Sequence, residues 1–181
     1  MKLEFQAKFL QYLNQKKQEE GFTLIELLVV IIIIGILAAI ALPSLLGQAN
    51  KAKQSEARQN IGAINRAQQA YFLENTAFTT SLPELGIGIK TQTVNYQFTI
   101  TMTPASDFVN NKAVATKPTL KGYVGGVATQ VGSTATTEVL TLAVACEANN
   151  PGTAVPANTT PPTTTTSISC PTPGFKDLGA R

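Results

Sequence analysis

The sequence predicts an α+β fold in which a long N-terminal α-helix packs on an antiparallel β-sheet. Residues 22–76 contain an apolar run followed by an amphipathic one, and both patterns are typical of helices. Further along the chain, short runs of alternating polar and apolar residues are separated by Thr, Gly and Pro, as is typical of strands. The chain has 181 residues, so the part beyond the helix is long enough for one small domain.

Residues 1–21 form a polar segment that ends in Gly21, directly before the apolar run. A secretory signal peptide has its apolar core before the cleavage site, and this segment has no such core. Cleavage after Gly21 would therefore leave the apolar run on the mature protein. We interpret residues 1–21 as a leader peptide with this inverted order.

Residues 22–43 are the most hydrophobic part of the chain and contain one charged side chain, that of Glu26. As a helix, residues 22–42 would be roughly 31 Å long, enough to cross a bilayer core of about 30 Å. A carboxylate at the centre of such a helix costs about 2.5–3.5 kcal/mol on insertion scales, which indicates that Glu26 has a role. The ordinary alternative is that its side chain reaches back to the headgroup layer.

Pro43 ends the apolar segment, and residues 44–76 form the amphipathic half of the same helix. Because proline has no N–H, we expect the helix to kink or loosen around residues 39–43. Gly35 fits two interpretations: a second weak point in the helix, or a small residue that lets two membrane helices approach closely.

Residues 77–181 are predicted to form a globular head with three or four antiparallel strands on the amphipathic helix. Phe108 and Val109 fit either a loop or a short strand. Residues 148–174 are rich in Thr and Pro, and this composition predicts an extended, exposed loop. The clearest strand patterns lie at residues 94–100, 122–131 and 137–145.

The composition argues against several classes of function. The chain has no His, and its carboxylates form no motif at catalytic spacing, so we do not expect an enzyme. Its two cysteines have no flanking CxxC motif and no His, so they make a poor metal site, and we expect neither a metal nor a cofactor. The formal net charge of +3 gives no strong reason to expect nucleic-acid binding.

The run GFTLIELLVVIIIIGILAAIALP at residues 21–43 resembles the N-terminal signature of type IV pilins, in particular the precursor of a major type IVa pilin. The resemblance is specific over about residues 21–60. Beyond them it concerns only the general architecture, the type IV pilin fold. It implies that a prepilin peptidase cleaves after Gly21 and N-methylates the new terminal residue, Phe22.

The resemblance also implies roles for residues inside the helix. Glu26 would be needed for assembly and would pair with the terminal amine of Phe22. The residues alone leave open whether this pair forms within one chain or between neighbouring subunits. Gly35 and Pro43 match the positions between which family helices unwind locally in the filament.

The charges near the apolar run bear on processing and orientation. Family leaders usually carry basic residues next to the cleavage site, whereas this chain has Glu19 and Glu20 there, so we expect slower cleavage at worst. Lys16 and Lys17 lie close behind them. They favour a cytoplasmic leader, with the head on the other side of the inner membrane.

Cys146 and Cys170 both lie beyond the helix. In an extracytoplasmic compartment a disulfide is favoured over free thiols. The resemblance likewise implies a disulfide-bounded C-terminal loop over residues 146–170. The Thr-Pro cluster in this loop is a candidate for O-glycosylation, and the alternative is an unmodified loop. The candidate acceptors are Thr159, Thr160, Thr163, Thr164, Thr165 and Thr166.

These features predict a structural subunit of a type IV pilus. It would be inserted in the inner membrane as a precursor and polymerised into an extracellular fibre that serves motility, adhesion or DNA uptake. The implied partners are other copies of the chain, the prepilin peptidase, the pilus assembly platform and minor pilins. DNA binding has no specific support in the sequence. The alternatives are a major pseudopilin of a type II secretion system and a monomeric, membrane-tethered binding domain.

Overall fold

The computed structural model of the protein contains one long helix, one short 3-10 helix and five strands in the part of the chain that it describes. The helix α1 is Leu24–Asn75, and the 3-10 helix is Pro83–Leu85. The strands are β1 (Tyr96–Met102), β2 (Phe108–Ala115), β3 (Lys121–Ser133), β4 (Thr136–Pro151) and β5 (Phe175–Asp177). The structure describes residues 6, 8–11, 21–102, 107–133, 136–159 and 168–179. The chain divides into two compact units, Met1–Leu46 and Gly47–Arg181.

In the unit Met1–Leu46, the apolar half of α1 is exposed on nearly all sides. Its most apolar 18-residue window has a mean hydropathy of 3.1 and is 0% buried, so the helix is long and apolar enough to cross a membrane. The helix continues through Gly35 and Pro43, so residues 39–43 are helical in the single chain; the predicted kink, and the local unwinding in the filament, stay predictions. Proline removes only one intrahelical hydrogen bond, and the turns on either side of it remain helical.

The unit Gly47–Arg181 contains an antiparallel sheet with the strand order β1-β2-β3-β4-β5. This arrangement confirms the predicted fold class. Within the described residues the sheet nevertheless has five strands rather than three or four. Phe108 and Val109, left between loop and strand by the sequence, belong to β2. The predicted loop at residues 148–174 was placed too early, because β4 continues to Pro151.

The amphipathic half of α1 packs on one face of the sheet. Ala57, Ile61 and Ile64, at steps of four and three, point one stripe of the helix into the core. Their buried neighbours on and around the sheet include Tyr96, Phe98, Ala113, Ala115, Leu120 and Tyr123. A fully buried aliphatic side chain contributes about 1.5–3 kcal/mol, so this stripe is a main source of the head's stability.

The C-terminal segment covers the opposite face of the sheet. Ile168 lies in a cluster of buried residues together with Phe108, Val124, Ala128, Val144 and Cys146. Pro156 and Thr159 are also buried. The prediction of a wholly exposed loop is therefore wrong for these residues. The Cys146–Cys170 disulfide, with its Cα atoms 5.7 Å apart, ties this segment to β4.

Two consecutive asparagines of β2 connect the sheet to these two layers. On the helix side, Asn111 Nδ2 donates to Asn65 Oδ1 over 2.9 Å, and Asn65 Nδ2 donates to the carbonyl of Val144 over 2.9 Å. On the other side, Asn110 Oδ1 accepts from both the backbone N–H and the hydroxyl of Thr159, each over 2.8 Å. Successive side chains of a strand point to opposite faces, so one dipeptide serves both layers.

Glu147 of β4 is a buried carboxylate that joins the helix to the sheet. Its Oε2 lies 2.6 Å from Arg58 Nη2 of α1, and its Oε1 lies 2.8 Å from Lys121 Nζ of β3. Burial alone would raise the pKa of the Glu147 carboxyl. The hydrogen bonds from Lys121 and Arg58 outweigh burial and hold its pKa below the ordinary value. Burial also raises the pKa of the neighbouring Tyr123 to about 12, so this hydroxyl stays neutral.

We predict that Glu147→Gln lowers the free energy of unfolding at pH 7 by about 1–3 kcal/mol, because it leaves two cations facing a neutral amide. The carboxyl's pKa is lower in the folded chain than its ordinary value of 4.5. Its stabilisation is thus complete above that value and is lost as the pH falls through the folded pKa. Urea unfolding of the full chain in detergent, followed by tyrosine circular dichroism, should show wild type and variant converging in acid. Glu74→Gln, at an exposed carboxylate, is the control; equal stability at pH 7 would contradict the role of Glu147.

We predict that Gly125→Ala destabilises the head by about 1–3 kcal/mol, because a Cβ at this position would overlap the amide group of Asn65. Gly152→Ala is the matched control, since a Cβ there meets nothing within 4 Å. The control should stay within about 0.5 kcal/mol of wild type. In an Asn65→Ala background most of the additional cost of Gly125→Ala should disappear in the same unfolding assay. An unchanged cost in that background would show that the overlap is not its cause.

Candidate functional site

The candidate functional site is the start of α1, at residues 21–26. Gly21, Phe22 and Thr23 precede the helix and have no regular secondary structure, and all three are exposed. The side chain of Phe22 is 78% exposed. The peptide bond between Gly21 and Phe22, predicted to be cleaved, thus lies in a non-helical, accessible stretch immediately before the helix.

Thr23 and Glu26 cap this end of the helix reciprocally. The Thr23 hydroxyl accepts from the backbone N–H of Glu26 over 3.3 Å. In return, Glu26 Oε2 accepts from the backbone N–H of Thr23 over 2.9 Å and from its hydroxyl over 2.6 Å. This is a capping box, which satisfies N–H groups that the first helical turn leaves unpaired. Such groups are costly to leave unpaired in a bilayer, where no water can replace the missing partner.

The predicted partner of Glu26 was the amine of Phe22, and its contact with Thr23 was not predicted. The signal was present, because Thr-x-x-Glu before an apolar run is the sequence pattern of a capping box. The nitrogen of Phe22 belongs to a peptide bond in this chain, and it becomes an ammonium only when the bond to Gly21 is cut. The predicted pair between Phe22 and Glu26 therefore concerns the cleaved protein and stays a prediction.

The surface that follows the cap is apolar on every side of the helix. The large side chains there are between 44% and 80% exposed, and a Cβ at Gly35 would meet nothing within 4 Å. Soluble monomers rarely expose an apolar surface of this extent, so it requires lipid or protein cover. The exposed residues include Leu24, Ile25, Leu27, Leu28, Val29, Val30, Ile31, Ile32, Ile33, Ile34, Ile36, Leu37, Ile40, Leu42, Leu45 and Leu46.

The structure contains the predicted disulfide between Cys146 and Cys170. For one of the predicted glycosylation sites, Thr159, the structure argues against modification. Thr159 is 2% exposed and its hydroxyl is bonded to Asn110, which makes it unsuitable as an acceptor. The other candidates, Thr160, Thr163, Thr164, Thr165 and Thr166, lie outside the described residues. Among the residues that the structure does describe, no cluster of three or more His, Cys, Asp or Glu could hold a metal ion.

Two family models match the chain. The model of type IV pilin-like G and H proteins matches residues 54–171, which include most of the head. The model of the prokaryotic N-terminal methylation motif matches residues 16–42, which include the cap and the apolar half of α1.

Curated relatives of two kinds are similar to the chain. The type IV major pilin protein PilA of Myxococcus xanthus is 45% identical over 38% of this chain and 31% of its own length. The type II secretion system core protein G of Pseudomonas aeruginosa is 40% identical over 46% of this chain and 58% of its own length. The type IV wide pilus major component PilA4 of Thermus thermophilus is 33% identical over 51% of this chain and 71% of its own length.

The chain thus spans about a third to just under three fifths of the first two relatives. No solved structure matches it significantly. The family model covers well over half of the chain, and the match to PilA4 covers more than two thirds of that protein. The N-terminal part of the long helix matches the prokaryotic N-terminal methylation motif, and the chain belongs to the type IV pilin-like G and H family.

Proposed function

We propose that the chain is a structural subunit of a type IV pilus. It is inserted in the inner membrane as a precursor, cleaved after Gly21, N-methylated at Phe22 and polymerised into a surface fibre. One observation carries this proposal: the apolar half of α1 is uncovered and contains a single charged group, the carboxylate of Glu26. A helix of this kind has two suitable environments, a lipid bilayer and a bundle of identical helices.

Polymerisation exchanges the first environment for the second. In the membrane, lipid tails cover the apolar side chains at residues 24–46; in the fibre, the same side chains of neighbouring copies cover them. Water is excluded in both states. Because the apolar surface only passes from lipid contact to subunit contact, we expect assembly to require no cofactor. A repeated head-to-tail contact between identical subunits generates an open filament when the successive rotations do not close into a ring.

Glu26 sets the register in this scheme. Cleavage creates an ammonium at Phe22, and the capping box holds the carboxylate of Glu26 one residue away from it along the chain. Burying either charge alone costs several kcal/mol, whereas burying them as a pair offsets most of that cost. The ammonium can come from the same subunit or from the next one, and in either case a slipped helix leaves charges unpaired.

The head fits the far side of the inner membrane, where its disulfide is stable. The proposed partners are other copies of the chain, the prepilin peptidase, the assembly platform and minor pilins. A second candidate function is that of a major pseudopilin in a type II secretion system. Its support is that several relatives with 36–43% identity are named type II secretion system core protein G.

Mass spectrometry of fibres sheared from intact cells tests the proposal. We predict a subunit that begins with N-methylated Phe22 and contains the Cys146–Cys170 disulfide. Fibres that appear only when the chain is overproduced, together with a secretion defect in a deletion strain, would favour the pseudopilin. Recovery of the chain only in membranes, with residues 1–21 still attached, would identify a tethered monomer and overturn the proposal.

Substitutions at the cap can separate the charge of Glu26 from its hydrogen bonds. Glu26→Gln keeps an acceptor for Thr23 but has no charge, and we predict a loss of fibre yield of about tenfold or more. Thr23→Val keeps the charge but removes the capping hydroxyl, which lowers the stability of the helix by about 1 kcal/mol. Fibre yield should therefore fall by about fivefold at most. Immunoblots of sheared fibres and of membranes measure both. Wild-type fibre yield in Glu26→Gln, with normal membrane levels, would remove the charge from the assembly scheme.

A further inference from the structure

A cationic groove lies in the unit Gly47–Arg181, between α1 and the sheet. Its volume is about 440 Å³, and its lining includes Lys51 and Arg58 of the helix, Lys121 at the start of β3 and Glu147 near the end of β4. Asn50 and Gln54 add polar groups to the helix side. Here "cationic groove" denotes this cavity and these six residues.

The charges of the cationic groove do not balance. Arg58 and Lys121 share a single carboxylate, that of Glu147, and the exposed Lys51 adds a third positive charge. Its three cations and one carboxylate therefore give the groove a net charge of +2. Such a site favours an anionic group that supplies the missing negative charge.

The opposite end of the same unit is acidic. The rings of Phe72 and Phe78 are 4.9 Å apart and pack with Val109 of β2, which brings the C-terminal end of α1 to the start of β2. Exposed carboxylates lie at both places, Glu74 on the helix and Asp107 directly before the strand. The described residues at this end, 67–82, 100–102, 107–111, 128–133 and 136–142, contain no Lys or Arg.

The two charged ends cannot meet within one subunit. Lys51 and Glu74 are 23 positions apart on the same helix, which corresponds to roughly 35 Å. Lys121 begins β3, whereas the backbone N–H of Thr129, eight positions further, bonds to the carbonyl of Asp107 over 2.9 Å. An oppositely charged protein partner for either end would therefore belong to another molecule.

We propose that the cationic groove accepts the acidic end of a second copy of the chain, so that Glu74 or Asp107 of one subunit lies against Lys51 of the next. This proposal rests on the proposed polymerisation. It adds a polar contact between heads to the apolar contact between helices. The two surfaces differ, so the contact is heterologous, and a heterologous contact can repeat without closing, as a filament requires. Charges in direct contact are screened less by salt than separated ones, but the steering of subunits toward each other weakens at high salt.

Cysteine cross-linking tests the contact directly. One variant combines Lys51→Cys with Glu74→Cys, and a second combines Lys51→Cys with Asp107→Cys. Neither pair can form a disulfide inside one chain, because a disulfide requires Cα atoms within about 7 Å. A ladder of covalent multimers in sheared, oxidised fibres of at least one variant is the expected result. Lys53→Cys with Glu74→Cys is the matched control, since Lys53 does not line the groove. Fibres of both test variants without a ladder, or an equal ladder from the control, would overturn the contact.

Charge reversal supplies a second readout. Lys51→Glu should lower fibre yield by about fivefold or more, and Lys53→Glu should have a smaller effect. Adding Glu74→Lys and Asp107→Lys to Lys51→Glu should restore the fibres. Wild-type yield in Lys51→Glu would overturn the groove contact while leaving the proposed pilus function intact. Absence of fibres from the wild-type chain would instead overturn the proposed function.

Discussion

Uncovered apolar side chains on the first half of α1 are the constraint on which the rest of the molecule depends. At about 25 cal/mol per Å² of apolar surface, side chains of this number and size cannot remain in water. The second half of the same helix has one apolar stripe, and the sheet covers it. One continuous helix thus divides its surface between a partner within the chain and partners outside it. The carboxylate of Glu26, which Thr23 binds at the first turn, lies at the start of the uncovered half of the helix.

The head is fixed to its helix by polar groups as well as by apolar packing. Asn65 and Arg58 lie on α1 seven positions apart, and both reach β4, through the carbonyl of Val144 and the carboxylate of Glu147. Buried polar contacts of this kind add little net stability, but a shifted helix would leave each of them unpaired. The groups therefore specify one position of the helix on the sheet. A contact that repeats along a fibre needs such a defined position, because every subunit then presents the same surfaces to its neighbours.

The parts of the fold that sequence reasoning reached are those encoded by local patterns. The apolar run, the amphipathic stripe and the alternation in β4 each follow from neighbours along the chain. The strand β2 was not recognised because Asn110, Asn111 and Lys112 interrupt its apolar pattern. The buried side chain of Asn111 is bonded to Asn65, 46 positions away, and that of Asn110 to Thr159, 49 positions away. The capping box was within reach, since Thr23 and Glu26 are three positions apart. The helix continues through Pro43 because the turns on both sides of it are helical. The general tendency of proline to interrupt helices does not take these neighbouring turns into account.

The C-terminal segment determines which surface the head presents away from α1. A Thr- and Pro-rich composition predicted a loop remote from any core, yet Pro156, Thr159 and Ile168 are buried on the sheet. Gly126 permits this close approach, because a Cβ there would overlap Thr159. The sheet is thus a middle layer between the helix and this segment. Contacts from the described residues of this segment on one face, and from α1 on the other, therefore hold the same strands from both sides.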